Sequence, residues 1–430
     1  MLRISENRRF LVHDDGTPFF YLADTAWELF HRLTLPEIEL YLRDRAAKGF
    51  TVIQAVALAE LDGLDVPTMQ GHLPLIDRDP SQPSEPYFAF IDTVLDLAES
   101  LGLWIALLPT WGDKWNKKWG AGPEIFTPEN AYSYGLFLGR RYAQRSIIWM
   151  LGGDRPIETE GHREIIRAMA RGVREGDGGS HLITFHTWGA HSTSQYIHDE
   201  PWLDFHTCQS GHKRNRENWR YIEADYALTP TRPCMDAEPG YEDSQDDIGN
   251  LEGGYLDDYD VRKAMYWSLF AGAHGHTYGC FPVWSMWRPG LPYAFARRPW
   301  YEAIHLPGSH QVGHARALLL SRPFLTRIPD QSLIVSDVGA STHHVQATRD
   351  ASGSYALVYI PSGQPVELDL TALSGERTLA RWFDPRTGVA SAMGSFPRRS
   401  RQVFTPPLGG PDWVLVLDDA AAGFPAPGRR

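Results

Sequence analysis

Two segments of this 430-residue chain carry an apolar run into an acidic residue and a turn: Trp149-Met150-Leu151-Gly152-Gly153-Asp154-Arg155-Pro156 and Cys234-Met235-Asp236-Ala237-Glu238-Pro239. Each reads as a buried strand that stops on a carboxylate. Two carboxylates held at strand ends in one domain are the minimum equipment for cutting a glycosidic bond. One must be protonated to meet the leaving oxygen, and the other must face the anomeric carbon. Asp154 and Glu238 are therefore the candidate catalytic pair. An acid that closes a strand is equally able to cap a helix or hold one arm of a structural ion pair. The pair has to be judged by whether one fold brings both acids together.

The elements that must position them are legible in the apolar pattern. Strand candidates fall at 19–24, 51–58, 103–110, 147–154, 181–187, 204–210, 232–238 and 274–281. Most are nearly continuous in apolar character, as parallel strands covered on both faces are. Helix signals lie between them. Thr34-Leu35-Pro36-Glu37 is a capping box, and Gly49 closes that helix. Residues 88–101 form an apolar-periodic run ending at Gly102. Thr127-Pro128-Glu129 supplies a cap, a first-turn proline and an early acid before 132–141. Residues 258–270 form a further helix, closed near Gly272. Eight strands alternating with helices predict a (β/α)8 barrel over 1–318. A doubly wound open sheet is the competitor, but no GxGxxG follows the first strand. Beyond 318 the pattern shortens to strands at 332–336, 343–349, 355–360, 366–370, 379–383, 402–405 and 413–417, separated by turn clusters. This predicts a small antiparallel β-sandwich over 319–420. Residues 421–430, rich in Pro, Gly and Ala, read as a flexible tail.

In such a barrel the active site is built at the C-terminal ends of the strands. Those ends supply Asp24 and Trp27, Gln54, Trp111 and Asp113, Asp154, His186 and Trp188, Gln209, Glu238, and His276 and Tyr278. Strands four and seven lie across an eight-stranded barrel from each other, so their acids can face one another over a bound ring. The other ten residues are candidate substrate contacts. Of the 15 tryptophans, Trp111, Trp115, Trp119, Trp188, Trp284 and Trp287 fall in loops or at strand ends, where rings can stack on a sugar face. For any single one, packing between loops is the commoner role.

Other chemistries find less support. A net charge of −12 argues against nucleic acid, which is met by a basic face. The 17 histidines include no HExxH and no zinc-type Cys/His spacing, so no metal and no cofactor is expected. A metal-dependent hydrolase stays as a minor alternative, and a non-catalytic carbohydrate-binding barrel as another. There is no Walker loop and no GxSxG elbow. The three cysteines form no CxxC and read as buried thiols. No apolar run approaches the ~18 residues of a membrane span. The charged N-terminus lacks a signal-peptide core. The expected partner is a carbohydrate, with no nucleic acid and no membrane. The expected location is cytoplasmic, or periplasmic or secreted if a signal was removed.

Longer motifs add a resemblance. Asp15-Gly16-Thr17-Pro18-Phe19-Phe20, Ala23-Asp24-Thr25-Ala26-Trp27-Glu28-Leu29-Phe30, Gly49-Phe50-Thr51-Val52-Ile53-Gln54 and the Gly152-Gly153-Asp154 segment resemble the DUF4038, or apiosidase-like, barrels. That group includes glycoside hydrolase family one hundred and forty. Trp382-Phe383-Asp384-Pro385-Arg386-Thr387-Gly388 and Asp412-Trp413-Val414-Leu415-Val416-Leu417 resemble the β domain that follows those barrels and carries a collagen-binding label. The resemblance implies a retaining glycosidase with Asp154 as acid/base and Glu238 as nucleophile. It also implies release of apiose, a branched pentofuranose, from pectic side chains. The loops at 65–86 and 242–257 look particular to this chain and able to reshape the pocket.

Overall fold

Continuous apolar strands need cover on both faces, and the computed structural model supplies it with a closed ring of helices. It describes residues 1–250, 252–291, 295–398 and 401–428. Within the segments read above, Leu251 and residues 429–430 lie outside the described residues. The barrel strands are β1 (Tyr21–Thr25), β2 (Val52–Leu58), β3 (Trp104–Thr110), β4 (Ile147–Gly152), β5 (Ile183–His186), β6 (His206–Gln209), β7 (Cys234–Asp236) and β8 (Gly275–Tyr278). All are parallel, in the order β5-β4-β3-β2-β1-β8-β7-β6. The seam between β5 and β6 is closed by a different chemistry. The Asp204 N–H donates to Ile183 O at 2.8 Å, the Thr184 hydroxyl to Phe205 O at 2.8 Å, and the Thr207 hydroxyl to Phe185 O. Threonine hydroxyls there replace part of a backbone ladder.

The helices follow in turn: α1 (Leu35–Ala47), α2 (Glu85–Ser100), α3 (Pro128–Tyr142), α4 (Glu160–Gly176), α5 (Ser194–Ile197), α6 (Trp219–Tyr226), α7 (Asp258–Phe270) and α8 (Pro307–Leu320). The capping box predicted at Thr34 and Glu37 forms, with the Thr34 N–H donating to Glu37 at 2.8 Å. The α4 helix buries Ile165, Ile166, Met169 and Val173 and packs backbone to backbone on α3. A Cβ on Gly139 would lie 2.5 Å from Val173 O, and one on Gly172 would lie 2.3 Å from Tyr132 O. Ahead of β1, three short antiparallel strands (2–4, 11–13 and 18–19) form a separate sheet.

The C-terminal strands are β9 (Arg327–Pro329), β10 (Gln346–Asp350), β11 (Tyr355–Ile360), β12 (Val366–Leu368), β13 (Arg377–Asp384), β14 (Val389–Pro397), β15 (Gln402–Phe404) and β16 (Trp413–Asp419). Six form an antiparallel sheet, β9-β10-β11-β16-β13-β14, and β12 pairs with β15 in a second. Period two divides the large sheet between two cores. Tyr355, Leu357, Tyr359, Val414 and Val416 join the barrel's core, whereas Ala356, Val358, Ile360, Leu415 and Leu417 meet Val366, Leu368 and Phe404 of the smaller sheet. The strand expected at 332–336 is instead a 3-10 turn at Gln331–Leu333, started by the Asp330 carboxylate accepting from the Ser332 N–H. The segment expected to be a loose tail lies against the molecule: the Phe424 ring meets Tyr355, and the Gly428 N–H reaches the Ser321 hydroxyl at 3.3 Å. Among the described residues, no helix is long and apolar enough to cross a membrane.

Candidate active site

The end of β4 turns sharply. Gly152, Gly153 and Asp154 all have positive φ, at +94°, +105° and +55°. The two glycines are demanded by close approach: a Cβ on Gly152 would lie 2.4 Å from His186 O, and one on Gly153 would lie 2.5 Å from Gly112 N. Asp tolerates the left-handed region better than most residues. The turn is fastened on both sides. Gly153 N–H donates to His186 O at 3.1 Å, Gly112 N–H to Gly153 O at 2.9 Å, and the Trp115 indole to Gly152 O at 3.2 Å. Trp115 is therefore a buried prop rather than a sugar platform.

Asp154 stands out from this turn with its side chain 27% exposed. Arg155 grips its Oδ2 at 3.0 Å, and the Trp119 indole N–H reaches the same oxygen at 3.3 Å. Displacement of water by protein and the charge of Glu238 raise its pKa, against the lowering pull of Arg155 and His186.

Glu238 lies just past β7, only 5% exposed. Its backbone is pinned by Gly211 N–H donating to Glu238 O at 3.2 Å and by the Gln54 amide donating to Ala237 O at 3.1 Å. His212 Nε2 bonds Oε1 at 3.0 Å. His186 Nε2 lies 2.9 Å from Oε2, at hydrogen-bonding distance though not in hydrogen-bond alignment. The Asp154 N–H donates to His186 Nδ1 at 3.3 Å, which leaves the ring hydrogen on Nε2, facing Glu238. Burial alone would raise the Glu238 pKa, but the two imidazoles outweigh it and hold the carboxyl well below the usual range. The two acids are thus pushed in opposite directions, Asp154 up and Glu238 down. Such a split is how one site runs acid and nucleophile chemistry together.

Around the pair the Trp27 ring packs at 5.2 Å from Trp111 and 5.1 Å from His186. Trp188 stacks on His191 at 3.7 Å and approaches Trp119 at 6.2 Å, while Trp119 is 52% exposed. Buried polar atoms without a protein partner include Trp111 Nε1, Gln209 Oε1, His212 Nδ1 and Tyr241 OH. Since buried polar groups are normally paired, this set fits a site that receives hydroxyl groups.

Of the residues expected here, Asp154, Glu238, His186, Trp27, Trp111, Trp188 and Gln209 fit the mouth. Three others face the helix layer, because strand parity turns alternate residues outward. Asp24 is fully buried and bound to Tyr41 OH at 2.6 Å and Arg45 Nε at 2.5 Å on α1. The Tyr278 hydroxyl donates to Glu242 at 2.5 Å, and His276 Nδ1 meets the Ser268 hydroxyl of α7 at 2.8 Å. Gln54 points into the barrel but spends its amide on Ala237 O and the Thr277 hydroxyl. Asp113 organises its own loop, holding Lys114 at 2.7 Å and Gly122 N–H at 2.8 Å. His212, Arg155 and Tyr241 were not expected as contacts. Their signal in the sequence is position alone: each follows a strand-end residue by one to a few places. Among the described residues, no group of three or more His, Cys, Asp or Glu could hold a metal ion.

Comparisons with known proteins agree with this fold. The family model described as "Apiosidase-like, catalytic domain" matches residues 5–326, and "Putative collagen-binding domain of a collagenase" matches 328–418. A solved structure titled "Glycoside hydrolase" superposes with a TM-score of 0.90 at 31% identity, covering 98% of this chain and 97% of its own. A glycoside hydrolase family 5 protein from Bacteroides vulgatus ATCC 8482 superposes with a TM-score of 0.90 at 32% identity, covering 98% and 93%. No curated protein matches the chain. With three quarters of its length matched by one catalytic-domain model, and with an eight-stranded barrel presenting two acids at its mouth, the chain belongs to the apiosidase-like family of glycoside hydrolases.

Proposed function

We propose that the chain is a retaining, exo-acting glycosidase that releases a terminal sugar, apiosyl or similar and plant-derived, from glycosides or pectic oligosaccharides. Asp154 is the acid/base and Glu238 the nucleophile. The observation that carries this reading is the placement of both acids at the ends of β4 and β7, with His186 accepting from the Asp154 backbone N–H on one ring nitrogen and lying 2.9 Å from Glu238 on the other. Asp154 protonates the leaving oxygen while the Glu238 carboxylate attacks the anomeric carbon. Once relieved of its proton, Asp154 draws the proton from the water that releases the sugar. The Trp119 and Trp188 rings, beside Asp154, suit stacking on a sugar face. The apiosyl specificity is supported by the family match alone.

The test is a panel of 4-nitrophenyl glycosides including apiosides, arabinofuranosides and rhamnosides, with the first-formed anomer followed by NMR. The expected product keeps the anomeric configuration of the substrate. An inverted first product would overturn the nucleophilic role of Glu238.

A further inference from the structure

Four consecutive strand-end loops each carry a carboxylate: Glu28 after β1, Glu60 after β2, Asp113 after β3 and Asp154 after β4. Three carry their own cation. Glu28 has His31 at 2.9 Å and Arg32 at 3.5 Å, Asp113 has Lys114 at 2.7 Å, and Asp154 has Arg155 at 3.0 Å. Glu60 has none. Among the described residues its partly buried carboxyl makes no hydrogen bond and no ion pair. Burial and the charges of Glu28, Asp154 and Asp113 hold it well above the usual carboxylate range, against the weaker lowering pull of Arg155.

Two buried atoms nearby also lack partners. Glu28 is fully buried, and while its Oε2 meets His31, its Oε1 has no hydrogen-bond partner. Trp111, only 3% exposed and packed on Trp27 and His186, has a free indole N–H. A carboxyl with no cation, a buried acceptor and a buried donor form the hydrogen-bonding set that a polyhydroxylated ring would complete.

Resting on the glycosidase reading, we propose that Glu60 is a specificity residue: its carboxyl binds a hydroxyl of the terminal sugar. A site built to bind a hydroxyl strongly rejects the analogue that lacks it. The test combines Glu60→Ala and Glu60→Gln with single-deoxy analogues of the 4-nitrophenyl glycoside that the wild type turns over fastest. On that parent glycoside, Glu60→Ala should lose roughly a hundredfold in kcat/KM. On the one deoxy analogue that lacks the contacted hydroxyl, wild type and Glu60→Ala should agree within about threefold. An equal loss on every analogue, or no loss on the parent, overturns the proposal. If Glu60→Ala fails to fold, judged by its thermal melt, Glu60→Gln carries the same comparison. If the wild type hydrolyses nothing in the panel, the glycosidase reading falls separately, and calorimetric titration with free apiose and arabinose takes over. Sugar binding lost in Glu60→Ala then supports the proposal, whereas binding that survives, or that the wild type also lacks, overturns it.

Discussion

The ends of β4 and β7 make an instructive contrast. Asp154 is the more exposed of the two acids, yet its pKa is raised; Glu238 is the more deeply buried, yet its pKa is lowered. Burial alone would assign the opposite roles. What reverses the order is the partner set. Glu238 faces two imidazole nitrogens, whereas Asp154 shares a single arginine with its own backbone carbonyl and feels the negative charge of Glu238. In this mouth burial pushes both carboxyls up, and the imidazoles facing Glu238 reverse it there while nothing of equal strength does so at Asp154.

The contrast can be broken first at β7. Glu238→Gln should abolish hydrolysis of every glycoside, whatever its leaving group, with kcat falling by several powers of ten; retention of wild-type turnover in a steady-state assay would remove Glu238 from the chemistry. At β4 the effect should depend on substrate. Asp154→Ala should cost about 10²–10⁴-fold on alkyl and sugar-linked glycosides but little on 4-nitrophenyl glycosides, which need less protonation. Equal losses on both would contradict the acid role. The smallest effect sharpens the electrostatics. Glu238 must be ionised and Asp154 protonated, so activity should fall on the acid side as Glu238 takes up a proton and on the alkaline side as Asp154 loses one. His212→Ala removes a group that lowers the Glu238 pKa. The acid limb of the kcat/KM profile should therefore move to higher pH, while the plateau falls by less than about tenfold. An acid limb that stays in place would show that His212 does not tune the carboxylate.

The eight barrel strands were legible because most sit in nearly continuous apolar runs, and each overlaps a segment expected to be a strand. The same continuity hides parity. Nothing in a run such as Tyr21–Thr25 marks which residues face inward, so Asp24 was read as a sugar contact when it faces Arg45. In Gly275–Tyr278 the parity hid His276 and Tyr278 in the same way. The Gly-Gly-Asp turn was legible for a different reason: two glycines at a strand end signal a backbone that cannot carry a Cβ. The β14 strand escaped notice because seven of its nine residues are exposed and none is buried, so no alternation marks it, and its bulge opposite Ala380 and Arg381 breaks the period further. His212 and Tyr241 become informative only once folding brings the loops after β6 and β7 together, with their rings 4.2 Å apart.

The sheet of β9-β10-β11-β16-β13-β14 has a consequence for how such chains can be reshuffled. Tyr359 stacks on Tyr266 of α7 at 4.8 Å, Asp412 holds the buried Arg262 of the same helix at 3.0 Å, and Arg327 donates to the carbonyls of Leu269 and Ala273. Two family models meet at this boundary, yet one apolar core runs across it. A cut there severs a protein interior rather than a tether. Any exchange of C-terminal modules among these barrels must therefore carry over a matching apolar face, and with it the arginine and aspartate that lock onto α7.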